Sequence, residues 1–94
     1  MMSQIPIKLK KMAPEKIDQE ILRSAMIAEL DAVNLYEQMA GLSQNENIRK
    51  ILLDVAKEEK THVGEFQAML LRLDQEQVAE LEKGKKEVEE MMNN

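Results

Sequence analysis

From Pro14 onward the apolar residues recur in alternating steps of three and four, the spacing that lays side chains along one face of an α-helix. Leu22, Ala25, Ala32, Tyr36 and Met39 form one row, and Ile48, Leu52, Val55, Phe66, Met69 and Leu73 form a second. Ionisable residues interrupt both rows at positions where a helix bundle wants apolar ones: Glu29 in the first, Glu59 and His62 in the second. The pattern predicts a first helix over 14–41, roughly 40 Å long at 1.5 Å per residue, and a second over 44–73. A third, over 75–92, carries Val78, Leu81, Val88 and Met91 on one side.

The punctuation agrees with these bounds. Pro14 suits the first helical position and Glu15 the positive end of the helix dipole, although Ala13 is a poor N-cap. Gly41 reads as the C′ residue that ends the first helix. Ser43-Gln44-Asn45-Glu46 matches a capping box, with Ser43 as N-cap of the second helix and Glu46 reaching back to it. Asp74-Gln75-Glu76-Gln77 matches a further cap, with the alternative that the second helix runs straight through Asp74, and Gly84 weakens the third helix by about 1 kcal/mol relative to Ala. Residues 1–13 read as an irregular tail in which Pro6 holds Ile5 extended.

Met26, Ile27, Leu30, Val33 and Leu35 make the first helix apolar on more than one side. Such a helix is covered on more than one side, and one hairpin partner cannot do that. The strongly charged third helix reads as an arm packed against another subunit or against the flank of the dimer.

Composition narrows the picture. Ninety-four residues make one domain, with a third of them charged and few glycines or prolines. The chain has one Phe, one Tyr and no Trp, and eight Met supply adaptable packing instead. So short a chain rarely builds enough core without a disulfide, a metal or a partner. Cysteine is absent, which leaves the metal and the partner. The net charge of −5 disfavours nucleic acid and anionic membranes as partners and favours cations. Lys8, Lys10 and Lys11 are too short a basic run to change that. No apolar run is long enough to span a bilayer, and the start has no secretory h-region. A cytoplasmic protein is the expectation.

Glu59 and His62 stand at i and i+3, on one helix face. This Glu-x-x-His is the repeated element of di-iron carboxylate bundles, but alone it is a weak signal, since Glu-rich helices often contain it. Height strengthens it. The short turn makes helices 1 and 2 antiparallel neighbours. Glu29 lies twelve residues before Gly41 and Glu59 lies twelve after Asn47, so the two should face each other. Buried without compensation, such charges cost several kcal/mol each, and a metal ion removes that cost.

A complete di-iron bundle needs a Glu from each of two helices and a Glu-x-x-His from each of the other two. This chain supplies half. Two copies about a two-fold axis supply Glu29, Glu59 and His62 twice over, and the four carboxylates balance two divalent cations. The mixed ligand set suits Fe(II), Mn(II) or Zn(II). Tyr36, seven residues after Glu29 on the same row, is placed to hydrogen-bond a ligand, approach a metal or relay an electron. Without the Glu constellation it would be read as an ordinary bundle tyrosine. Asp31, Asn34, Glu58 and Glu65 lie on neighbouring faces. They suit an acidic access path, and singly each is better read as solvated surface.

Ala28-Glu29-Leu30-Asp31-Ala32-Val33-Asn34-Leu35-Tyr36, followed by Glu58-Glu59-Lys60-Thr61-His62, resembles the encapsulated ferritin-like proteins, the iron-oxidising cargo of encapsulin nanocompartments. The resemblance covers both long helices and the start of the third. It implies a ferroxidase with a di-iron (Fe) centre, in which Glu29 and Glu59 chelate and bridge the irons, His62 is a terminal ligand and Tyr36 sits close by. It further implies a ring of homodimers, commonly a decamer, an encapsulin shell protein as partner, oxidation of Fe(II) by dioxygen or peroxide, and storage of Fe(III) in the shell lumen. The family has an acidic uptake site on the outer face of helix 1; here Asp31 keeps one of its positions and Ala28 replaces the other. Family members reach the shell through a C-terminal targeting peptide or by fusion to the shell protein. The ending Glu90-Met91-Met92-Asn93-Asn94 has neither and reads as an excised domain.

The expectation is an all-α, antiparallel two-helix hairpin plus a short C-terminal helix, dimerising into a ferritin-like four-helix bundle that houses a ferroxidase centre. Two alternatives stand beside it. One is a non-catalytic helical assembly module whose charges are held by Lys57 or Lys60. The other is a di-metal enzyme that reduces peroxide on the same scaffold.

Overall fold

The computed structural model describes residues 13–93. The N-terminal tail, including Ile5-Pro6-Ile7, for which an extended path was expected, and its lysines, lies outside the described residues except for Ala13. Three α-helices follow in order: α1 over Pro14–Leu42, α2 over Glu46–Leu73 and α3 over Gln75–Met92. The fold is all-α. α1 and α2 pack along each other as an antiparallel hairpin.

The hairpin turn is built differently from the capping box that the sequence suggested. Asn45, not Ser43, is the N-cap of α2: its Oδ1 accepts the backbone N–H of Asn47 at 3.0 Å and of Ile48 at 3.1 Å. Ser43 sits too far out to reach those groups. It ends α1 instead, in an extended conformation, and its N–H donates to Met39 O at 3.1 Å. Glu46 turns to Arg49, at 3.4 Å, rather than back towards Ser43.

Gly41 also departs from its assigned role. α1 runs on through Leu42, and no glycine among the described residues has a positive φ. The left-handed C′ turn is unnecessary because Arg49 reaches back from α2. Its Nη2 donates to Ser43 O at 2.7 Å and its Nε to Ala40 O at 3.2 Å, so free carbonyls at the α1 terminus find a donor without one.

At the other end of the hairpin the chain breaks at Asp74. Its N–H closes α2 on Leu70 O at 2.9 Å, and its Oδ1 caps α3 by accepting Gln77 N–H at 3.0 Å. α3 then leaves sideways. The molecule measures 48 × 45 × 18 Å. Two helices side by side are about 20 Å wide, so α3, 18 residues and about 27 Å long at 1.5 Å per residue, accounts for the rest of the second long dimension.

The single chain has a thin core. Val33, Ala40, Ala56 and Leu70 are its buried apolar residues among those described. On α1 Ile21 and Leu35 are exposed on one side and, by helical spacing, Ile27 and Leu30 on another; Ile48, Ile51, Leu53 and Met69 are exposed on α2. The apolar surface on two sides of α1 is therefore real, and one chain leaves much of it in water. None of the described helices is long and apolar enough to cross a membrane.

Candidate metal centre

Midway along the hairpin Glu29 of α1 meets Glu59 and His62 of α2. His62 Nδ1 lies 3.3 Å from Glu29 Oε2 and 3.6 Å from Glu59 Oε2. One donor atom from each residue falls within 4.8 Å of the other two. The matching counts from the turn bring the two carboxylates to one height, and the i, i+3 spacing turns His62 onto the same face as Glu59. Their side chains are 22%, 18% and 42% exposed in the single chain, so the cluster opens on the hairpin surface and is not enclosed by it.

These separations suit a shared cation. Donors about 2.1 Å from one metal ion stand about 3.4 Å apart in a tetrahedral shell and about 3.0 Å in an octahedral one. The two His62 distances lie close to that range, and the two carboxylates' ligand oxygens lie within 4.8 Å of each other. Two carboxylate oxygens and an imidazole nitrogen are the donor set of Fe(II), Mn(II) or Zn(II) sites. His62 Nδ1 is the atom that both carboxylates approach, which is where a shared cation would sit.

Tyr36 lies on α1 beyond Glu29, half-buried. Glu58 and Glu65 are exposed on α2 and are not members of the cluster. Asp31 lies in a shallow depression on α1 with Ala28, Asn34 and Gln38, likewise outside the cluster. Lys60 is drawn to Glu37 across the hairpin at 3.3 Å. Lys60, one of the two lysines expected as counter-charges on the non-catalytic reading, thus has Glu37 as its partner.

The family model described as Rubrerythrin matches residues 20–93. The chain belongs to the rubrerythrin family. It is homologous to encapsulin-cargo, ferritin-like proteins. It is 71% identical, over 72 residues, to a ferritin-like–encapsulin shell fusion protein of Pyrococcus furiosus, a match that takes in 77% of this chain and 21% of that protein. It is 40% identical, again over 72 residues, to the encapsulin nanocompartment cargo protein EncC of Myxococcus xanthus, covering 72% of this chain and 55% of that protein. The chain thus spans about a fifth and just over half of the lengths of these two relatives. The crystal structure of the encapsulated ferritin domain from Pyrococcus furiosus superposes with a TM-score of 0.84 at 56% identity, covering 100% of this chain and 98% of that one. The three-helix arrangement is that of this ferritin-like domain.

Proposed function

We propose that two copies of this chain pair across the hairpin flank that carries Glu29, Glu59 and His62, and that the completed site is a ferroxidase centre. The observation that carries the reading is the meeting of those three donors from two helices at one height, on an open face edged by exposed apolar residues. A second copy about a two-fold axis doubles the donors to four carboxylates and two imidazoles. Its own apolar flank then covers Ile48, Ile51 and Met69.

Fe(II) is the substrate, each ion giving up one electron to dioxygen or peroxide. Glu29 and Glu59 bind and hold the ions, and His62 supplies a neutral nitrogen donor. The four carboxylates balance two dications, and they favour the product more than the substrate because Fe(III) carries the higher charge. This differential stabilisation, set by fixed donors, is the protein's contribution. Tyr36 stands on the same face of α1 as Glu29, where it serves as a hydrogen-bonding or electron-relaying neighbour of the ligands.

The relatives' names supply the setting. One is a fusion to an encapsulin shell and one is an encapsulin nanocompartment cargo protein. We place this chain in the cytoplasm within such a shell, assembled as a ring of dimers, with the shell lumen receiving Fe(III). The test is the initial rate of Fe(II) oxidation by the wild type and by Glu29→Ala, Glu59→Ala and His62→Ala, each with dioxygen and with peroxide. Loss of the fast phase in all three variants is expected. Wild-type rates in all three refute the assignment. A response to peroxide alone moves the chain to the peroxide-reducing reading.

A further inference from the structure

We propose that Gln19 and Arg23 of α1 form, with Asp74, a latch that sets the direction in which α3 leaves the hairpin and makes it a fixed arm rather than a hinged one. Gln19 is the one buried polar side chain among the described residues, 7% exposed. A buried amide without a partner costs a few kcal/mol. Here the Nε2 donates to Leu73 O at 2.8 Å, across 54 positions of sequence. That carbonyl belongs to the last turn of α2, where the helix itself offers no donor. One turn along α1, Arg23 Nη1 lies 3.6 Å from Asp74 Oδ2.

Asp74 is the pivot because its groups do three separate jobs. Its N–H finishes α2, its Oδ1 starts α3, and its Oδ2 is drawn to Arg23. Its side chain is only 17% exposed, which shields the ion pair from water more than a surface pair. A one-residue break between two helices has soft backbone dihedrals, and nothing in the break itself selects one interhelical angle. The two polar ties reach the break from a third direction, α1, and so remove that freedom.

The ties have a structural product. α3 is held so that Gln77 and Leu81 close one wall of a groove of about 300 Å³. Met26, Ile27 and Leu30 of α1 and Leu70 of α2 line the same groove. Beyond Leu81 the apolar row of α3 continues through Val88, Met91 and Met92, all exposed. With the latch closed this row projects from the hairpin in one direction, and with it open the row sweeps a cone. The latch acts at the elbow and involves none of the three metal donors, so it stands or falls independently of the ferroxidase reading.

The experiment uses the full chain, which has no cysteine of its own. Cysteines placed at exposed positions by Asp54→Cys on α2 and Glu89→Cys on α3 carry paired spin labels, diluted into excess unlabelled protein. Electron–electron distance measurements report the angle of the arm. The parent should give one narrow distribution. Asp74→Asn keeps a good N-cap but loses the charge, and Arg23→Ala loses the guanidinium. In both, the distribution should widen at least twofold while circular dichroism shows unchanged helix content. Arg23→Lys, which retains a cation, should restore most of the narrowing. Unchanged distributions in both Asp74→Asn and Arg23→Ala overturn the proposal. So does broadening in Arg23→Lys equal to that in Arg23→Ala, because packing rather than charge would then hold the arm.

Discussion

Glu59→Gln should raise the stability of the metal-free protein and remove its response to metal. The Glu29 and Glu59 ligand oxygens lie within 4.8 Å of each other. Two unit charges that far apart repel by about 3.5 kcal/mol at an effective dielectric of about 20. The carboxylates are about a fifth exposed and His62 Nδ1 lies against both, so solvent screening and the imidazole reduce the net penalty to about 1–2 kcal/mol. Glutamine has the shape of glutamate and still offers His62 an acceptor, yet it carries no charge. Relief of about 1–2 kcal/mol corresponds to a rise in Tm of several degrees, since about 1 kcal/mol shifts a domain of this size by roughly 4–8 °C.

With metal the order should reverse. A cation at about one hundred times its Kd stabilises the wild type by about 2.7 kcal/mol, and the variant, short of one charged ligand, gains little. The assay is thermal unfolding of both proteins at one fixed protomer concentration, in chelator and then in anaerobic Fe(II) or in Zn(II). The reasoning is refuted if metal-free Glu59→Gln melts at or below the wild type while still responding to metal, because the carboxylates would then be neither strained nor ligating.

Other predictions follow from the fold. Asn45→Ala should cost about 1 kcal/mol as a lost N-cap, with Ser43→Ala costing less, read from denaturant midpoints at equal slope. Arg49→Ala leaves the carbonyls of Ala40 and Ser43 without their donor and should cost about 1–3 kcal/mol in the same measurement. Leu70→Ala, at a site 3% exposed, should cost about 2–5 kcal/mol. Ile51, 65% exposed in the single chain, should differ in kind: Ile51→Ala should weaken self-association in sedimentation more than it lowers stability. Glu37→Ala removes an exposed partner of Lys60 and should change stability by less than about 1 kcal/mol.

The long elements were legible because their signal is periodic and repeated. A row such as Ile48, Leu52, Val55, Phe66 and Leu73 tolerates no strand or loop reading, and it fixes which way Glu59 and His62 face. The convergence of Glu29 with Glu59 was legible for the same reason, since a short antiparallel turn turns a residue count into a height. The turn itself was not. Ser43 and Asn45 are both good caps, and the choice between them depends on the path of the chain out of α1, which Arg49 helps to set from the next helix. Gly41 misled because a glycine near a helix end suggests a left-handed turn, while a long-range donor had already satisfied the carbonyls there. The elbow was half legible. Asp74 reads locally as a cap, but Gln19 and Arg23 are ordinary polar residues on an ordinary helix face until the fold brings them within reach of it.

One chain builds only half of the proposed di-iron site. Native mass spectrometry of the protein titrated anaerobically with Fe(II) counts subunits and metals in the same ions. Metal should appear in even-numbered assemblies, at two ions per pair of subunits, and should deplete the monomer as it is added. Monomers that carry the same two ions, at the same Fe(II) concentration and with no shift towards pairs, would contradict it.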